Sequence, residues 1–202
     1  MGAFCKIVGG VISPLLANIA LNGLDWQLHD AGFRFVRYAD DFVVLCKSEV
    51  QVQEAHALVQ QHLDRIGLTL SAEKTKLTKF REGFAFLGFT ITARSVTMRA
   101  KAVEKYKTKI RELTPRHHNL DREVVAKVNA VIRGTANYFA TSFSSCGSRF
   151  RVLDGWMRMR IRAMKFKRKW HTDNWRLRWQ HFRRLGFIFL SDALVPPAVE
   201  PT

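Results

Sequence analysis

Acidic residues are scarce in this chain. Asp and Glu number 17 against 33 Lys and Arg, which leaves a formal charge of +16 on 202 residues. At a hydrophobic content of 47% the chain has enough apolar material for a core, so disorder is excluded for most of it. The charge excess points to a polyanionic partner, nucleic acid first. No apolar run approaches the roughly 18 residues of a spanning helix, which sets a membrane aside. Cysteine is as sparse: Cys5, Cys46 and Cys146 are far apart, odd in number and form no Cys-x-x-Cys pair, so a zinc knuckle or a disulfide framework has no support. The adjacent His117 and His118 stand in TPRHHNLD, a polar connection that reads as solvated loop. The first residues carry one lysine and no basic leader, and a cytoplasmic chain is the expectation.

Proline is rare too, and where it occurs it is informative. Ser13-Pro14 predicts a helix start, with the hydroxyl capping free amides and the ring in the first turn, where no amide bond is lost. Ile12, Leu16, Ile19 and Leu24 are the expected apolar stripe, and Gly32 the stop. A second helix is expected from Ser48, where SEVQ is a capping-box pattern, through Val52, Ala55, Val59 and Ile66 to Gly67. GLTLSAEKTKLTKF reads as strand, turn and strand, and residues 84–99 as a hairpin turning at Ala93 to Ser95. This order is an α+β layout. After Arg99 strand signals vanish and helical segments follow near 101–113, 120–142, 149–170 and 173–185, which sets a boundary near residue 100 and leaves 191–202 as a tail.

The stretch FRFVRYADDFVVLC puts two adjacent carboxylates, Asp40 and Asp41, in the most apolar part of the chain. Two readings are open. They are the exposed tip of a hairpin, or they are buried together on a rigid sheet and held by a divalent cation. The second must offset a mutual repulsion of about 4 kcal/mol at 4 Å with an effective dielectric near 20, which Mg²⁺ and substrate phosphates can do.

The helical part carries much of the charge. From Arg149 to Arg184 there are 13 Lys or Arg and only two acids, Asp154 and Asp173, interleaved with Trp156, Trp170, Trp175 and Trp179. Leu153, Met157, Ile161 and Met164 make one stripe, read as core, while Arg158, Arg162, Lys165 and Lys169 make another. A solvated face usually mixes signs and this one does not, so phosphate-backbone binding is the expectation, with the tryptophans shared between packing and base stacking.

GGVISPLLANIALNGLD, FVRYADDFVVL, GLTLSAEKTKL and FLGF, in this order, resemble the second half of the palm of group II intron reverse transcriptases, and VNAVIRGTANYF with LDGWMRMRIRAMKFKRKW resembles their thumb and maturase region. The resemblance covers about residues 9–185. It implies a partial polymerase palm over 1–99, a helical thumb and maturase region over 100–190, and RNA-directed DNA polymerase (nucleotidyltransferase) chemistry of a mobile element. Asp40 and Asp41 match the metal-binding pair, with Mg²⁺ as cofactor; Tyr38 and Ala39 match the residues beside primer end and nucleotide. Lys74 matches a lysine suited to the leaving pyrophosphate, and Phe86, Leu87, Gly88 and Phe89 match the hairpin that grips the primer, although a plain buried strand is the other reading of those four. The implied partners are intron RNA and an RNA template with a DNA primer.

The resembled family uses one more aspartate, upstream of the helix that starts at Ser13, together with fingers that this sequence does not show. The expectation is therefore a truncated polymerase inactive alone. A non-catalytic RNA-binding maturase module and one half of a split polymerase, completed by an N-terminal piece, are the alternatives. No H-N-H endonuclease spacing follows the thumb-like region.

Overall fold

The computed structural model describes residues 12–71, 75–168, 170 and 173–194. The chain divides into two compact units, Met1–Lys79 and Phe80–Thr202.

In the first unit, α1 (Ser13–Asp30) leads into β1 (Arg34–Tyr38), β2 (Asp41–Leu45) and α2 (Glu49–Arg65). Pro14 sits in the first turn of α1, but Ser13 is already helical. The N-cap is Ile12 and no side chain caps it. Both helices end in the same way. Gly32 (φ 75°) and Gly67 (φ 71°) take the left-handed conformation, while Phe33 N–H donates to Leu28 O and Leu68 N–H to Leu63 O, both at 2.9 Å. These are Schellman endings, which only a residue without Cβ adopts at no steric cost. At the start of α2, Gln51 N–H donates to Ser48 Oγ at 3.2 Å, and the Gln51 amide oxygen accepts from Lys47 N–H at 2.8 Å rather than from the cap residue itself.

The buried stripe of α1 is Leu21, Leu24 and Leu28, packed on Val59 and Leu63 of α2 and on Phe33, Phe35, Phe42 and Val44 of the hairpin. Of the expected stripe only Leu24 is buried; Ile12, Leu16 and Ile19 are exposed. Both sets fit a helical period, and the position of α2 decides which faces inward. Gly23 permits that approach, since a Cβ there would stand 3.0 Å from His62 Cε1 of α2. Among the described residues β1 and β2 pair only with each other, antiparallel, with Arg37 opposite Phe42 and Tyr38 opposite Asp41. The described residues of 68–79 form no strand, against the strand pair expected there.

The second unit opens with a three-stranded antiparallel meander, β3 (Phe84–Phe86), β4 (Phe89–Ile91) and β5 (Val96–Met98). The expected single hairpin is thus two, because Leu87 and Gly88 make an extra turn. Helices α3 (Ala100–Leu113), α4 (Arg122–Phe139) and α5 (Gly147–Lys165) follow. Phe89 and Met98 of the sheet share one core with Val103, Ile110, Ile132, Phe150 and Ile161 of the helices. The composition change near residue 100 is therefore not the edge of the compact unit. The expected stripe Leu153, Met157, Ile161 and Met164 is fully buried, each such side chain contributing on the order of 1.5–3 kcal/mol.

The segment expected as one helix over 173–185 is broken into α6 (Asp173–Arg176) and α7 (Trp179–Arg184). Leu177 turns into the core, its carbonyl accepts from Arg162 Nε at 3.0 Å, and Arg178 is extended. Asn129 of α4 ties down the chain beyond α7, donating to Gly186 O at 2.7 Å and accepting from Ile188 N–H at 3.1 Å.

Candidate active site and nucleic-acid interface

Burial alternates along β1, with Phe35 and Arg37 half-buried and Arg34, Val36 and Tyr38 exposed. Phe35 and Arg37 belong to the side covered by the helices, and cross-strand register gives Tyr38 and Asp41 the opposite side as a directly opposed pair. Ala39 and Asp40 form the two-residue connection. Asp40 and Asp41 are both exposed, which decides for the hairpin-tip reading and against burial of the pair together. The physical reason is the position of the pair at the hairpin tip, beyond the apolar rows of the two strands. Among the described residues neither carboxylate has a hydrogen bond or an ion pair.

The tip is held from behind. Arg37 Nε donates to both oxygens of Asp25 (2.8 and 3.1 Å), and Nη2 donates to Oδ2. Nη1 reaches Asn18 Oδ1 at 2.8 Å and the Ala39 carbonyl at 2.9 Å. The Arg37 side chain is only 11% exposed, and the Asp25 hydrogen bond, against the cost of desolvation, raises its pKa above the ordinary arginine value. Ala39 has φ 53°, a left-handed conformation that costs a residue with Cβ roughly 1–2 kcal/mol. The guanidinium on its carbonyl is the local force that keeps it there. Sequence reasoning missed Arg37, Asp25 and Asn18. The signal was a charged side chain at an inward position of an alternating strand, in register with Phe33 and Phe35.

The other expected primer residues lie in the second unit. Phe86 ends β3 and Phe89 begins β4, while Leu87 (φ 45°) and Gly88 (φ 80°) are the turn between them. Positive φ at both central residues is the type I′ hairpin pattern. Tyr138 of α4 donates its hydroxyl to Leu87 O at 2.9 Å, and Gly88 lies against Phe139 and Tyr138, where an added Cβ would come within 3.4 Å of the Phe139 ring. Phe89 is buried; Leu87 is not. The four residues are a braced turn, not a continuous strand. Lys74 and Lys169 lie outside the described residues.

Of the expected basic row, Arg158 and Arg162 are half-buried and Lys165 is exposed. Arg158 and Arg162 line an open basin of ≈450 Å³ with Asn174, Trp175, Arg178 and Trp179; Lys165 does not. Arg178 stacks over Trp175 at 5.0 Å and Arg183 over Trp179 at 4.8 Å. The two acids of this region are turned inward. Asp154 accepts from Leu190 N–H (2.9 Å) and Ser191 N–H (3.0 Å), and the Asp173 carboxylate pairs with Arg168 at 3.1 Å. Trp156 packs on the core with Arg111 over its ring, while Trp170, Trp175 and Trp179 are exposed. Asn174 and Arg178 were not foreseen, because their roles depend on the break between α6 and α7.

Residues 7–91 match the family described as "Reverse transcriptase (RNA-dependent DNA polymerase)", and residues 103–186 match "Group II intron, maturase-specific domain". The chain belongs to the group II intron reverse transcriptase and maturase family. A curated relative, "Protein YkfC" of Escherichia coli (strain K12), is 31% identical over a match that takes in 40% of this chain and 30% of that protein. The chain thus spans under a third of the relative's length. Polymerases of the reverse transcriptase family use divalent metal ions, and reverse transcriptase and maturase domains bind nucleic acids. Among the described residues no helix is long and apolar enough to cross a membrane.

The group II intron type of site needs hard oxygen donors free to take a cation, and Asp40 and Asp41 fit that need. They are adjacent, open to solvent and, among the described residues, unpaired, while Arg37 behind the turn is taken up by Asp25. Among the described residues no cluster of three or more His, Cys, Asp or Glu side chains forms around them.

Proposed function

We propose that this chain supplies the metal-binding hairpin and the RNA-holding helices of an RNA-directed DNA polymerase of the group II intron type. The observation that carries the reading is the exposed, unpaired Asp40 and Asp41 on a strained turn braced by Arg37. Strain held at one turn by a dedicated ion pair is a feature of sites where geometry matters to chemistry. The switch from one matched family to the other between residues 91 and 103 supports a palm to about residue 99, a thumb and maturase region from about 100 to 190 and a tail beyond it.

Asp40 and Asp41 are the residues that hold Mg²⁺. A Mg²⁺ ion held by them would supply Lewis acidity toward a 3′ hydroxyl and charge screening toward a triphosphate. Tyr38, paired with Asp41, offers its ring to the primer end or the incoming nucleotide, with Ala39 beside it. Leu87 and Gly88 present a tight backbone turn to the primer strand, and Lys74 neutralises the leaving pyrophosphate. Arg158, Arg162, Lys165 and Lys169 hold RNA phosphates.

Two carboxylates at the tip are fewer than two-metal phosphoryl transfer employs, so a further carboxylate comes from a segment or chain outside the described residues. Primer extension tests this. The chain alone, given an RNA template, a DNA primer and Mg²⁺, is expected to bind the template without extending the primer. Addition of an N-terminal reverse transcriptase segment is expected to restore extension, and Asp40→Ala to abolish it. Extension by the chain alone, removed by Asp40→Ala, would overturn the need for an outside carboxylate; restored extension indifferent to Asp40→Ala would overturn the site.

A further inference from the structure

The basin between α5 and the α6–α7 segment has chemistry that packing does not explain. Three arginines, Arg158, Arg162 and Arg178, line it, their guanidinium groups lying over the rings of Phe189, Phe182 and Trp175, and none has a carboxylate partner among the described residues. Both acids between Arg149 and Arg184 are buried, and the Asp173 charge offsets only part of the repulsion that Arg158 exerts on Arg162. Burial, and after it the charge of Arg158, push the Arg162 guanidinium below its ordinary pKa. An anion would relieve that strain. Two indoles are also left in water beside these charges, Trp175 being 72% exposed and Trp179 48%. Exposed tryptophan is unfavourable unless something covers it.

A ligand that satisfies both features carries a flat π-face and an anion in one unit. A carboxylate peptide answers the arginines and leaves the indoles bare. A continuous duplex offers phosphates but keeps its bases stacked on each other. An unpaired nucleotide has both: its base stacks on an indole, its phosphate takes a guanidinium fork, and its edge can meet the Asn174 amide. We infer that the basin lined by Arg158, Arg162, Asn174, Trp175, Arg178 and Trp179 binds an unpaired nucleotide of the nucleic acid held by the helical unit, with the base on Trp175. This rests on the nucleic-acid-binding reading above and adds the requirement for a single-stranded position.

The experiment compares the full chain with Trp175→Ala, Trp175→Phe and Arg178→Gln on three probes at one fixed salt concentration: a blunt RNA hairpin, the same hairpin with an unpaired RNA tail, and the same with an unpaired DNA tail, each tail carrying 2-aminopurine. Trp175 and Arg178 are exposed, and circular dichroism checks that the variants fold. Wild type is expected to bind a tailed probe more tightly than the blunt one and to quench the 2-aminopurine. Trp175→Ala should lose about fivefold or more in affinity for the tailed probe, lose the quench and leave blunt binding unchanged, while Trp175→Phe retains both. Arg178→Gln should weaken tailed binding most. The tail that shows the effect identifies RNA or DNA as the source. Equal loss on blunt and tailed probes, or no loss on either, would overturn the inference while leaving nucleic-acid binding in place; displacement of the tail by poly-glutamate at matched charge would overturn it in favour of an acidic protein. Wild type that binds none of the probes would overturn the nucleic-acid reading itself.

Discussion

Arg37 of β1 grips Asp25 of α1 with a guanidinium that is almost wholly withdrawn from solvent, and through the same group it holds the carbonyl of Ala39 at 2.9 Å. One ion pair therefore ties the first helix to the turn that carries Asp40. Arg37→Lys preserves the charge but not the fork that reaches Asp25, Asn18 and Ala39 together. It is expected to cost about 1.5–3 kcal/mol, the range for hydrogen bonds to a charged group, in urea unfolding, and to speed hydrogen exchange at Asp41 to Leu45. Unchanged stability and exchange would mean that the fork does not hold the turn.

Ala39 and Leu87 are both left-handed residues with a Cβ, at φ 53° and 45°. Glycine accepts that conformation without clash, so Ala39→Gly and Leu87→Gly should each stabilise by about 0.5–1 kcal/mol, the relief of the steric cost less the entropy glycine adds to the unfolded chain. Leu87 is expected to gain less, because its side chain is partly covered. Chemical denaturation of the single variants checks both. A loss at Ala39 would show that its methyl group packs usefully.

Much of the first unit can be read from residues alone, and the limits of that reading have physical causes. Gly32, Gly67 and Ser48 mark helix ends because capping chemistry is local. Which stripe of α1 is buried is not local. Leu21, Leu24 and Leu28 win over Ile12, Leu16 and Ile19 because α2 and the hairpin cover that side. The aspartate pair was visible, but its exposed and buried readings stayed open, since hydrophobic flanks say nothing about how far a tip projects. Arg37 was visible as a charge in an inward register, yet its partner lies 12 residues away on another element. The basin depends on a helix break at Leu177 and Arg178 that no glycine or proline announces.

Tyr106 is fully buried in the core of the second unit, and its hydroxyl has no hydrogen-bond partner among the described residues. Burial, with a smaller contribution from the Asp154 charge, raises its pKa well above the usual 10. Above that usual value the unfolded chain releases the proton and the folded chain keeps it. The unfolded state then binds fewer protons, and stability falls as pH rises beyond about 10. Tyr106→Phe removes both effects. It should be neutral or stabilising by up to about 1 kcal/mol at neutral pH, since it deletes an unsatisfied buried group. It should also lose less stability than wild type between neutral and alkaline pH. Parallel urea titrations at two pH values decide it, and a strongly destabilised variant would reveal a hydroxyl partner.

Asp40 and Asp41 give the folded chain no hydrogen bond or ion pair among the described residues, and as neighbouring like charges they repel. The double variant Asp40→Asn, Asp41→Asn should therefore stay within about 0.5 kcal/mol of wild type in metal-free buffer, as surface changes away from structural contacts do. Millimolar Mg²⁺ separates the two proteins. A cation that binds only the folded state stabilises it by mass action, so Mg²⁺ should raise the melting temperature of wild type and leave the double variant unmoved. The contrast isolates function from fold, because the same substitution is silent in one buffer and visible in the other. A variant that is already unstable without metal would assign these carboxylates a structural role. Equal Mg²⁺ shifts in both proteins would locate the cation elsewhere.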